Sequence, residues 1–203
     1  MIYATSDLEQ QLWDTGILKV CGVDEVGRGC FAGPVVTGAV IFSSTKSIPK
    51  GLADSKLLKP KQRKELEYYI KEAAIAWAIG EVDVETINKV GIGRATQIAF
   101  VKAVKSLTQD PEHILIDAFY ISDLNKDIQS PIKGGDKLSV SIAAASIIAK
   151  VYRDELMEKL GLEYPNYLFE KHKGYGTKAH RDLMKIHGLC PLHRTSFNLT
   201  KFL

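Results

Sequence analysis

The sequence predicts an α/β fold, in which one mixed β-sheet has helices packed on its faces. Two features of the 203 residues support this prediction. The apolar runs 17–24 and 34–42 are close enough in sequence to pair as an antiparallel hairpin. Beyond them, segments with a helical period alternate with further short apolar runs, an order that is typical of strands connected by helices.

The first half of the chain continues with a helix and a third strand. Pro60 lies near the start of the helix, where its missing N–H costs nothing. Four residues on one face are predicted to pack on the sheet: Leu66, Tyr69, Ile70 and Ala73. The run AWAIGEV, residues 76–82, predicts the third strand.

A second helix is predicted over residues 85–107. It is expected in two parts, because Gly91 and Gly93 interrupt the helical pattern. Four apolar residues share one face of it: Ile87, Val90, Ile98 and Val101.

Two further strands and two helices complete the predicted order. A buried strand ends at Asp117, and residues 130–135 predict a short strand before Asp136. The segment 138–160 predicts a long helix that is apolar almost all round at first and is therefore deeply buried. Residues 177–188 predict a short C-terminal helix.

Composition favours a globular protein without covalent cross-links. Apolar residues make up 45% and charged residues 25% of the chain, an ordinary globular balance. The three cysteines, Cys21, Cys30 and Cys190, include no close pair, which argues against a disulfide framework. We see no signal peptide at the start, and no apolar run approaches the roughly 18 residues that span a membrane. We therefore expect a cytoplasmic protein.

Charge is distributed unevenly along the chain. The net charge is +3, yet residues 171–203 hold seven Lys and Arg against one acid. Residues 50–64 form a second basic group, with six Lys and Arg against one acid. Basic surfaces of this kind suit a polyanionic substrate. A solvated surface helix and a soluble tail would explain the same charges.

Four acids occupy the ends of the predicted strands. Asp24 and Glu25 end the first strand, Asp117 ends the buried strand, and Asp136 follows a short strand. If the two long strands are parallel neighbours, these carboxylates share one sheet edge and need cations, since like charges raise one another's pKa. Oxygen ligands select Mg²⁺ or Mn²⁺ and suggest two-metal phosphodiester chemistry. Alternatively, these acids are caps and ion-pair partners, with Asp136 capping the next helix.

Other site types fit the motifs poorly. Gly27, Gly29 and Gly33 follow the pattern G-x-G-x-x-x-G before a strand, whereas the dinucleotide fingerprint is G-x-G-x-x-G before a helix. A zinc site would need spaced Cys and His pairs, and Cys190 with His193 is a lone close pair. No serine lies in a nucleophile-elbow context.

Seven segments resemble a known family, in order and over nearly the whole chain: DEVGRG, AGPVV, DSKLL, ILIDAF, KGGDKLSVSIAAASIIAKVYRD, HKGYGTKAH and PLHRTSF. The chain resembles bacterial-type ribonuclease HII. The resemblance implies a ribonuclease H-like fold with a mixed five-stranded sheet flanked by helices. Residues 1–160 would form the catalytic domain, and residues 161–203 a basic helical extension that completes the substrate groove.

The resemblance also implies an activity and its partners. These enzymes hydrolyse the RNA strand of RNA–DNA hybrids and cut 5′ of ribonucleotides embedded in duplex DNA. They leave 3′-hydroxyl and 5′-phosphate ends and use two Mg²⁺ or Mn²⁺ ions when substrate is bound. We expect a monomer that binds hybrids and ribonucleotide-containing DNA duplexes. The last six residues, NLTKFL, are expected to be a frayed end rather than a weak sliding-clamp peptide.

Residue by residue, the family's four catalytic, metal-binding acids fall on Asp24, Glu25, Asp117 and Asp136. Its GRG motif falls on Gly27, Arg28 and Gly29, and its sugar-sensing tyrosine on Tyr175. The 2′-hydroxyl distinguishes RNA from DNA, and glycines allow the backbone to approach the sugar.

Other matched positions carry separate expectations. Arg28 can bond a phosphate with its forked donors, and Lys56 either contacts a phosphate or is a solvated loop lysine. Tyr175, between two glycines, is expected to swing out and stack on a sugar. Asp154 is expected to be structural, pairing near Arg153. Cys30 stands where the family often has proline, which changes packing behind the site.

Two other functional classes fit the fold. A different metal-dependent nuclease, such as a junction resolvase, would cut all-DNA substrates. A non-catalytic nucleic-acid-binding module would bind with a strong salt dependence and show no turnover.

Overall fold

A mixed five-stranded sheet forms the centre of the molecule. The computed structural model describes residues 3–43 and 48–203. The strands of this sheet are β1 (Val20–Val26), β2 (Val35–Phe42), β3 (Ala76–Val82), β4 (His113–Asp117) and β5 (Gln129–Ile132). Their order across the sheet is β3–β2–β1–β4–β5. The predicted α/β class and the mixed sheet are confirmed.

The direction of pairing changes at β1. This strand pairs antiparallel with β2, as the predicted hairpin requires, and parallel with β4. The register places Val23 beside Ile116, so the next residues, Asp24 and Asp117, lie side by side. Parallel neighbours end at the same edge of a sheet, which brings these two acids together.

Six helices in the described residues surround the sheet: α1 (Asp7–Asp14), α2 (Pro60–Ala73), α3 (Val84–Lys105), α4 (Val140–Glu163), α5 (Phe169–His172) and α6 (Lys178–His187). On one face, Val40 and Phe42 of β2 pack with α2 and α4. On the other, Ala39 and Ile41 pack with Phe100 of α3. The side chains of β2 alternate between these two cores, and all eight of its residues are buried.

The helix α4 lies unusually close to the sheet. A Cβ on Gly22 of β1 would lie 2.0 Å from the backbone of Ser141, and one on Gly38 of β2 would lie 2.2 Å from the carbonyl oxygen of Ala145. Glycine at these two positions therefore lets the helix backbone touch the strands. This close contact fixes the N-terminal half of α4 beside the strand that carries Asp24.

The sequence did not predict α1. Its Glu9 is fully buried and accepts hydrogen bonds from the Ser139 hydroxyl and the Ser141 N–H. Ser139, not Asp136, is the N-cap of α4, and its side chain accepts from the Ile142 N–H. The alternative in which Asp136 caps this helix is therefore wrong, because Asp136 lies in the preceding 3₁₀ turn, residues 135–137.

Most predicted helices and strands are confirmed, with small shifts. β1 continues to Val26, beyond the predicted end at Asp24, because its pairing with β2 continues to Val36. The break in α3 falls at Gly91, which has φ 78°. Two residues of the predicted apolar helix faces are exposed, namely Tyr69 and Val90.

The C-terminal region packs onto the loop that follows β1. Phe202, in a 3₁₀ turn over residues 200–202, stacks on Phe31 with 5.1 Å between ring centroids, and Leu199 is buried. The expectation of a frayed end is therefore wrong. Across residues 3–43 and 48–203, no helix has the length and apolarity needed to cross a bilayer.

Candidate active site

The four predicted acids lie around the C-terminal ends of the neighbouring strands β1 and β4. Asp24 is on β1, and Asp117 is the last residue of β4. Asp136 is held nearby, because the N–H of its neighbour Gly135 donates to Asp117 Oδ1 at 2.8 Å. Glu25, the next residue on β1, is only partly buried.

These acids repel one another. Burial raises the pKa of Asp24 well above its usual range, and the charges of Glu25, Asp117 and Asp136 raise it further. Burial also raises the pKa of Glu25, which Arg28 partly offsets. The pKa of Asp136 is raised first by burial and then by nearby carboxylates. The acidic edge, as we call Asp24, Glu25, Asp117 and Asp136, is therefore short of positive charge.

Two buried serine hydroxyls, of Ser55 and Ser146, lie next to the acidic edge. Ser146 of α4 donates to the Asp24 carboxylate and thereby lowers its pKa, against the larger effect of burial. The Ser146 and Ser55 hydroxyls lie 2.9 Å apart. Sequence reasoning missed Ser146 as a site residue; it is one of two buried serines in the apolar half of α4, the other being Ser141.

Asp54 and Lys56, in the segment DSKLL (residues 54–58), lie near the acidic edge. Asp54 is buried and raises the pKa of Asp136, while the exposed Lys56 lowers the pKa of both Glu25 and Asp136. The Lys56 N–H donates to Asp54 Oδ1 at 3.0 Å, which fixes the turn. Lys56 is therefore positioned beside the acids on an exposed side chain.

The donor set fits a hard divalent cation. All four members of the acidic edge offer oxygen atoms, which Mg²⁺ and Mn²⁺ prefer. In the part of the chain that the structure describes, no three His, Cys, Asp or Glu side chains converge to hold one ion. Mg²⁺ sites commonly combine one or two carboxylates with water and substrate phosphates, so the acids fit a site that substrate completes.

The GRG loop lies directly after the acids. Arg28 is partly exposed, 3.9 Å from Glu25, and its guanidinium lies 5.1 Å from the centre of the Phe119 ring. Gly29 is exposed, and a Cβ there would meet no protein atom within 4 Å. Packing within the protein therefore does not require glycine at position 29, which leaves space for an approaching ligand.

Gly27 has a different reason for being glycine. It has φ 88°, and a Cβ at this position would lie 2.1 Å from Arg153 Nε. Arg153 is fully buried, and its three nitrogens donate to the carbonyl oxygens of Pro34, Lys173 and Ala32 at 2.9, 2.8 and 3.1 Å. This arginine thus connects α4, the loop after β1 and the segment before Tyr175.

Arg194 performs a parallel task from the C-terminal region. It is also fully buried and donates to the carbonyl oxygens of Gly33, Arg28 and Pro34 at 2.9, 2.9 and 3.1 Å. Among the described residues, neither Arg153 nor Arg194 has a carboxylate within salt-bridge distance. We call these two side chains the arginine clamp; sequence reasoning missed it.

Asp154 forms two ion pairs, which suit the expected structural role. It bonds Arg63 at 3.3 Å and Lys150 at 2.6 Å, while the adjacent Arg153 faces carbonyl groups. The pair Arg63 and Asp154 thereby connects α2 to α4.

Tyr175 lies on a tightly packed segment. A Cβ on Gly174 would lie 2.3 Å from the Ala32 carbonyl oxygen, and one on Gly176 would lie 2.4 Å from the Phe31 ring. The flanking glycines therefore serve packing, rather than the free swing of the ring that the sequence suggested. Burial raises the pKa of Tyr175 to about 12, so the hydroxyl remains a hydrogen-bond donor at neutral pH.

Cys30 lies beneath Tyr175. Burial raises the pKa of its thiol, and the positive charges of Arg153 and Arg194 lower it in part. A hydrogen bond between the Cys30 and Tyr175 side chains contributes to the shifts of both groups. The Cys30 thiol also donates to the Lys173 carbonyl oxygen at 3.8 Å, so this cysteine contacts the segment that carries Tyr175.

Three neutral histidines anchor the same segment. His180 Nδ1 lies 2.9 Å from the Tyr175 carbonyl oxygen, so it carries the proton, and Nε2 accepts from His193 Nε2 at 3.1 Å. His193 Nδ1 in turn accepts from the Cys190 N–H. His172 stacks on His180 with 4.2 Å between centroids. Burial lowers the pKa of all three histidines, to about 4 for His180.

Comparison with known proteins finds relatives of this chain. The sequence model of the family described as Ribonuclease HII matches residues 21–200. Ribonuclease HII of Chlamydia trachomatis serovar A is 48% identical over 197 residues, which cover 97% of this chain and 89% of the relative.

Solved structures share the fold. Ribonuclease H2 from Pyrococcus horikoshii OT3 has a TM-score of 0.74 and 27% identity, over 90% of this chain and 95% of that one. Bst-RNase HIII in complex with Mn²⁺ has a TM-score of 0.68 and 25% identity, over 92% of this chain and 69% of that one. The resemblance is thus confirmed. The chain belongs to the ribonuclease HII family, whose members are ribonucleases H that hydrolyse the RNA strand of RNA–DNA hybrids.

Proposed function

We propose that this enzyme also cuts 5′ of single ribonucleotides in duplex DNA, by two-metal-ion catalysis, and leaves 3′-hydroxyl and 5′-phosphate ends. The acidic edge carries the proposal, because its carboxylates repel one another and lack enough positive charge. The Mn²⁺ complex of the related Bst-RNase HIII supports Mg²⁺ or Mn²⁺ as the cofactor.

Asp24, Glu25, Asp117 and Asp136 would hold the ions. When bound there, such ions supply a hydroxide nucleophile at neutral pH and stabilise the leaving oxygen. Ser146 orients the Asp24 carboxylate by donating to it. Lys56 lies close enough to influence Glu25 and Asp136 electrostatically and is exposed, which suits contact with a substrate phosphate.

The GRG loop and Tyr175 would recognise the ribose. Gly29 leaves open space in which backbone groups can bond a 2′-hydroxyl, a group that is both donor and acceptor. Arg28 presents a partly exposed fork that suits a phosphate. Tyr175 stays protonated, because burial raises its pKa to about 12, and it can donate to the sugar.

The C-terminal extension, residues 161–203, would complete the groove. It carries Tyr175, and its Arg194 bonds the Arg28 carbonyl of the GRG loop. Its excess of basic residues suits a nucleic acid backbone. The division at residue 160 falls within α4, which runs to Glu163, so the extension continues directly from the helix that carries Ser146.

The test is cleavage of a DNA duplex that carries one ribonucleotide, with Mg²⁺, with Mn²⁺ and with EDTA. We expect one metal-dependent cut 5′ of the ribonucleotide, with a 3′-hydroxyl that a polymerase can extend. Cleavage of the matched all-DNA duplex would favour a junction-resolvase-like enzyme. Binding without any turnover would favour a non-catalytic module.

Tyr175→Phe tests the sugar contact, because it removes only the hydroxyl. We expect about a tenfold loss on the single-ribonucleotide duplex, the value of one hydrogen bond at roughly 1.4 kcal/mol, and a smaller loss on long hybrids. Tyr152→Phe is the control, since its exposed hydroxyl bonds Glu81. An equal loss on both substrates would contradict the sensing role of Tyr175.

A further inference from the structure

Two large aromatic side chains stand in solvent beside the acidic edge. Phe119 is 50% exposed and Tyr120 is 45% exposed, and both follow Asp117 within three residues. Exposed apolar groups that cluster at the rim of a site commonly mark a binding surface. The acids, the GRG loop and Tyr175 do not account for these two rings.

The turn that carries Phe119 is strained and firmly held. Ala118 has φ 68°, a conformation that costs free energy for any residue with a Cβ. Its N–H donates to the Ile132 carbonyl oxygen at 3.0 Å, and the Phe119 N–H donates to the Asp117 carbonyl oxygen at 2.9 Å. The protein thus fixes the backbone next to a catalytic acid in an unfavourable conformation, and the turn keeps the Phe119 ring exposed.

The next residues of the loop are fixed by two glutamines. Gln97 of α3 bonds the Tyr120 carbonyl oxygen at 3.0 Å and the Ser122 N–H at 2.7 Å. Gln129 of β5 bonds the Ile121 N–H at 2.8 Å. Both neighbouring elements therefore hold the loop, so the exposed ring of Phe119 is presented from a rigid support.

Phe119 also contacts the loop that would recognise the ribose. The Arg28 guanidinium lies 5.1 Å from its ring centre. On the same loop, Gly27 lies against Arg153, whose guanidinium is 5.9 Å from the Tyr175 ring. The GRG loop is thus connected to an aromatic ring on each of two separate chain segments, one after β4 and one in the C-terminal extension.

We propose that Phe119 is a substrate-contacting residue, whose ring packs against the minor-groove sugar edge of the nucleic acid beside the cut. This inference rests on the proposed function. A 2′-hydroxyl is accessible in the wide, shallow minor groove of an A-form duplex, and proteins that bind a minor groove frequently insert apolar side chains such as Phe into it. A ring adjoining both Asp117 and Arg28 is placed for that contact.

The test measures binding rather than turnover. Dissociation constants are measured in EDTA for a DNA duplex with one ribonucleotide, using Phe119→Ala, Phe119→Trp and the control Tyr68→Ala. Tyr68 is an exposed aromatic residue (62%) of α2, a helix that carries none of the proposed site residues. We expect Phe119→Ala to weaken binding about tenfold, within the range of one aromatic contact. The dissociation constant of Phe119→Trp should stay within about twofold of the wild-type value, and that of Tyr68→Ala should equal the wild-type value.

The salt dependence separates direct contact from an indirect effect through Arg28. Removing one phosphate contact lowers the slope of log K against log salt by about one. Arg28→Ala should lower the slope, and Phe119→Ala should leave it unchanged. A lower slope in Phe119→Ala, or unchanged affinity, would overturn the proposal.

Failure of the proposed function would appear elsewhere. If wild type does not cut the single-ribonucleotide duplex in Mg²⁺ or Mn²⁺, the proposed function fails whatever the binding data show. If wild type cuts and Phe119→Ala binds as tightly as wild type, only the assignment of Phe119 fails.

Discussion

The acidic edge and the arginine clamp bury charge in opposite ways. Asp24 and Asp136 are buried among other carboxylates, and their pKa values are raised. Arg153 and Arg194 are fully buried too, yet each has three backbone carbonyl partners. A guanidinium can be satisfied by neutral acceptors, whereas clustered carboxylates need cations. The clamp is therefore complete in the protein alone, and the acidic edge is not.

This difference assigns the two regions different tasks. Burial lowers the pKa of Arg194 to about 10, which still leaves it charged at neutral pH. Its hydrogen bonds join the loop after β1 to the C-terminal region, so the clamp holds these two segments together. The acids lack such partners, which is why we propose that ions and substrate complete their site.

The largest expected effect comes from the acidic edge. Asp24→Asn keeps the shape of the side chain but removes one ligand charge, and should lower the cleavage rate roughly 1,000-fold, as expected for the loss of several kcal/mol of ion-mediated stabilisation. The measurement is single-turnover cleavage of the one-ribonucleotide duplex. Asp123→Asn is the control, because Asp123 forms an exposed ion pair with Arg94 and is not one of the four acids. Activity of Asp24→Asn near the wild-type level would refute a role for Asp24 in catalysis.

Substitutions in the arginine clamp should lower the free energy of unfolding. Arg153→Lys cannot reproduce three forked hydrogen bonds, and leaves buried carbonyl groups unpaired at a cost of about 3 kcal/mol. Urea denaturation measures this loss. The matched control Arg94→Lys changes an exposed ion pair and should cost less than about 1 kcal/mol. Similar losses in the two variants would mean that the clamp is not a structural element.

A smaller change in the free energy of unfolding is expected when the pH is lowered, because His180, which bonds the Tyr175 carbonyl oxygen, takes up a proton on unfolding. In the folded protein His180 has a pKa lowered to about 4, whereas an unfolded histidine has about 6.5. The unfolded chain therefore binds more protons between these values, so the stability from neutral His180 is complete above pH 6.5 and falls as the pH falls towards 4. His180 should contribute a slope of up to about 1.4 kcal/mol per pH unit.

The check compares denaturation midpoints from pH 7 to pH 4.5. His180→Gln should flatten the decline in stability, since the variant cannot take up that proton. His187→Gln, on the exposed end of α6, should follow the wild-type curve. An unaltered decline in His180→Gln would show that another group causes the acid sensitivity.

Sequence patterns predicted the sheet and the placement of its acids, because both depend on periodicity and on strand ends. The apolar run of β2 and the run ending at Asp117 are local signals. Parallel pairing of β1 with β4 was only a condition of the predicted acid cluster, and the structure shows it. The positions of the GRG loop and Tyr175 came from the family resemblance.

The buried charges could not be predicted in this way. Arg153 and Arg194 look like ordinary surface residues in a sequence, since arginine is rarely buried without a partner. Their partners are carbonyl groups, which every residue has, so no pattern marks them. The same holds for Glu9, whose burial depends on the distant N-terminus of α4.

The most direct test of the account is the stability of wild type and Asp24→Asn, with EDTA and with saturating Mn²⁺. If the carboxylates repel one another, Asp24→Asn in EDTA at pH 7.5 should be more stable than wild type by about 1 kcal/mol, and Mn²⁺ should stabilise wild type more than the variant. If wild type is more stable than Asp24→Asn in EDTA, the acids do not destabilise the protein and the proposed metal site is contradicted. Equal stabilisation of both proteins by Mn²⁺ would contradict it as well.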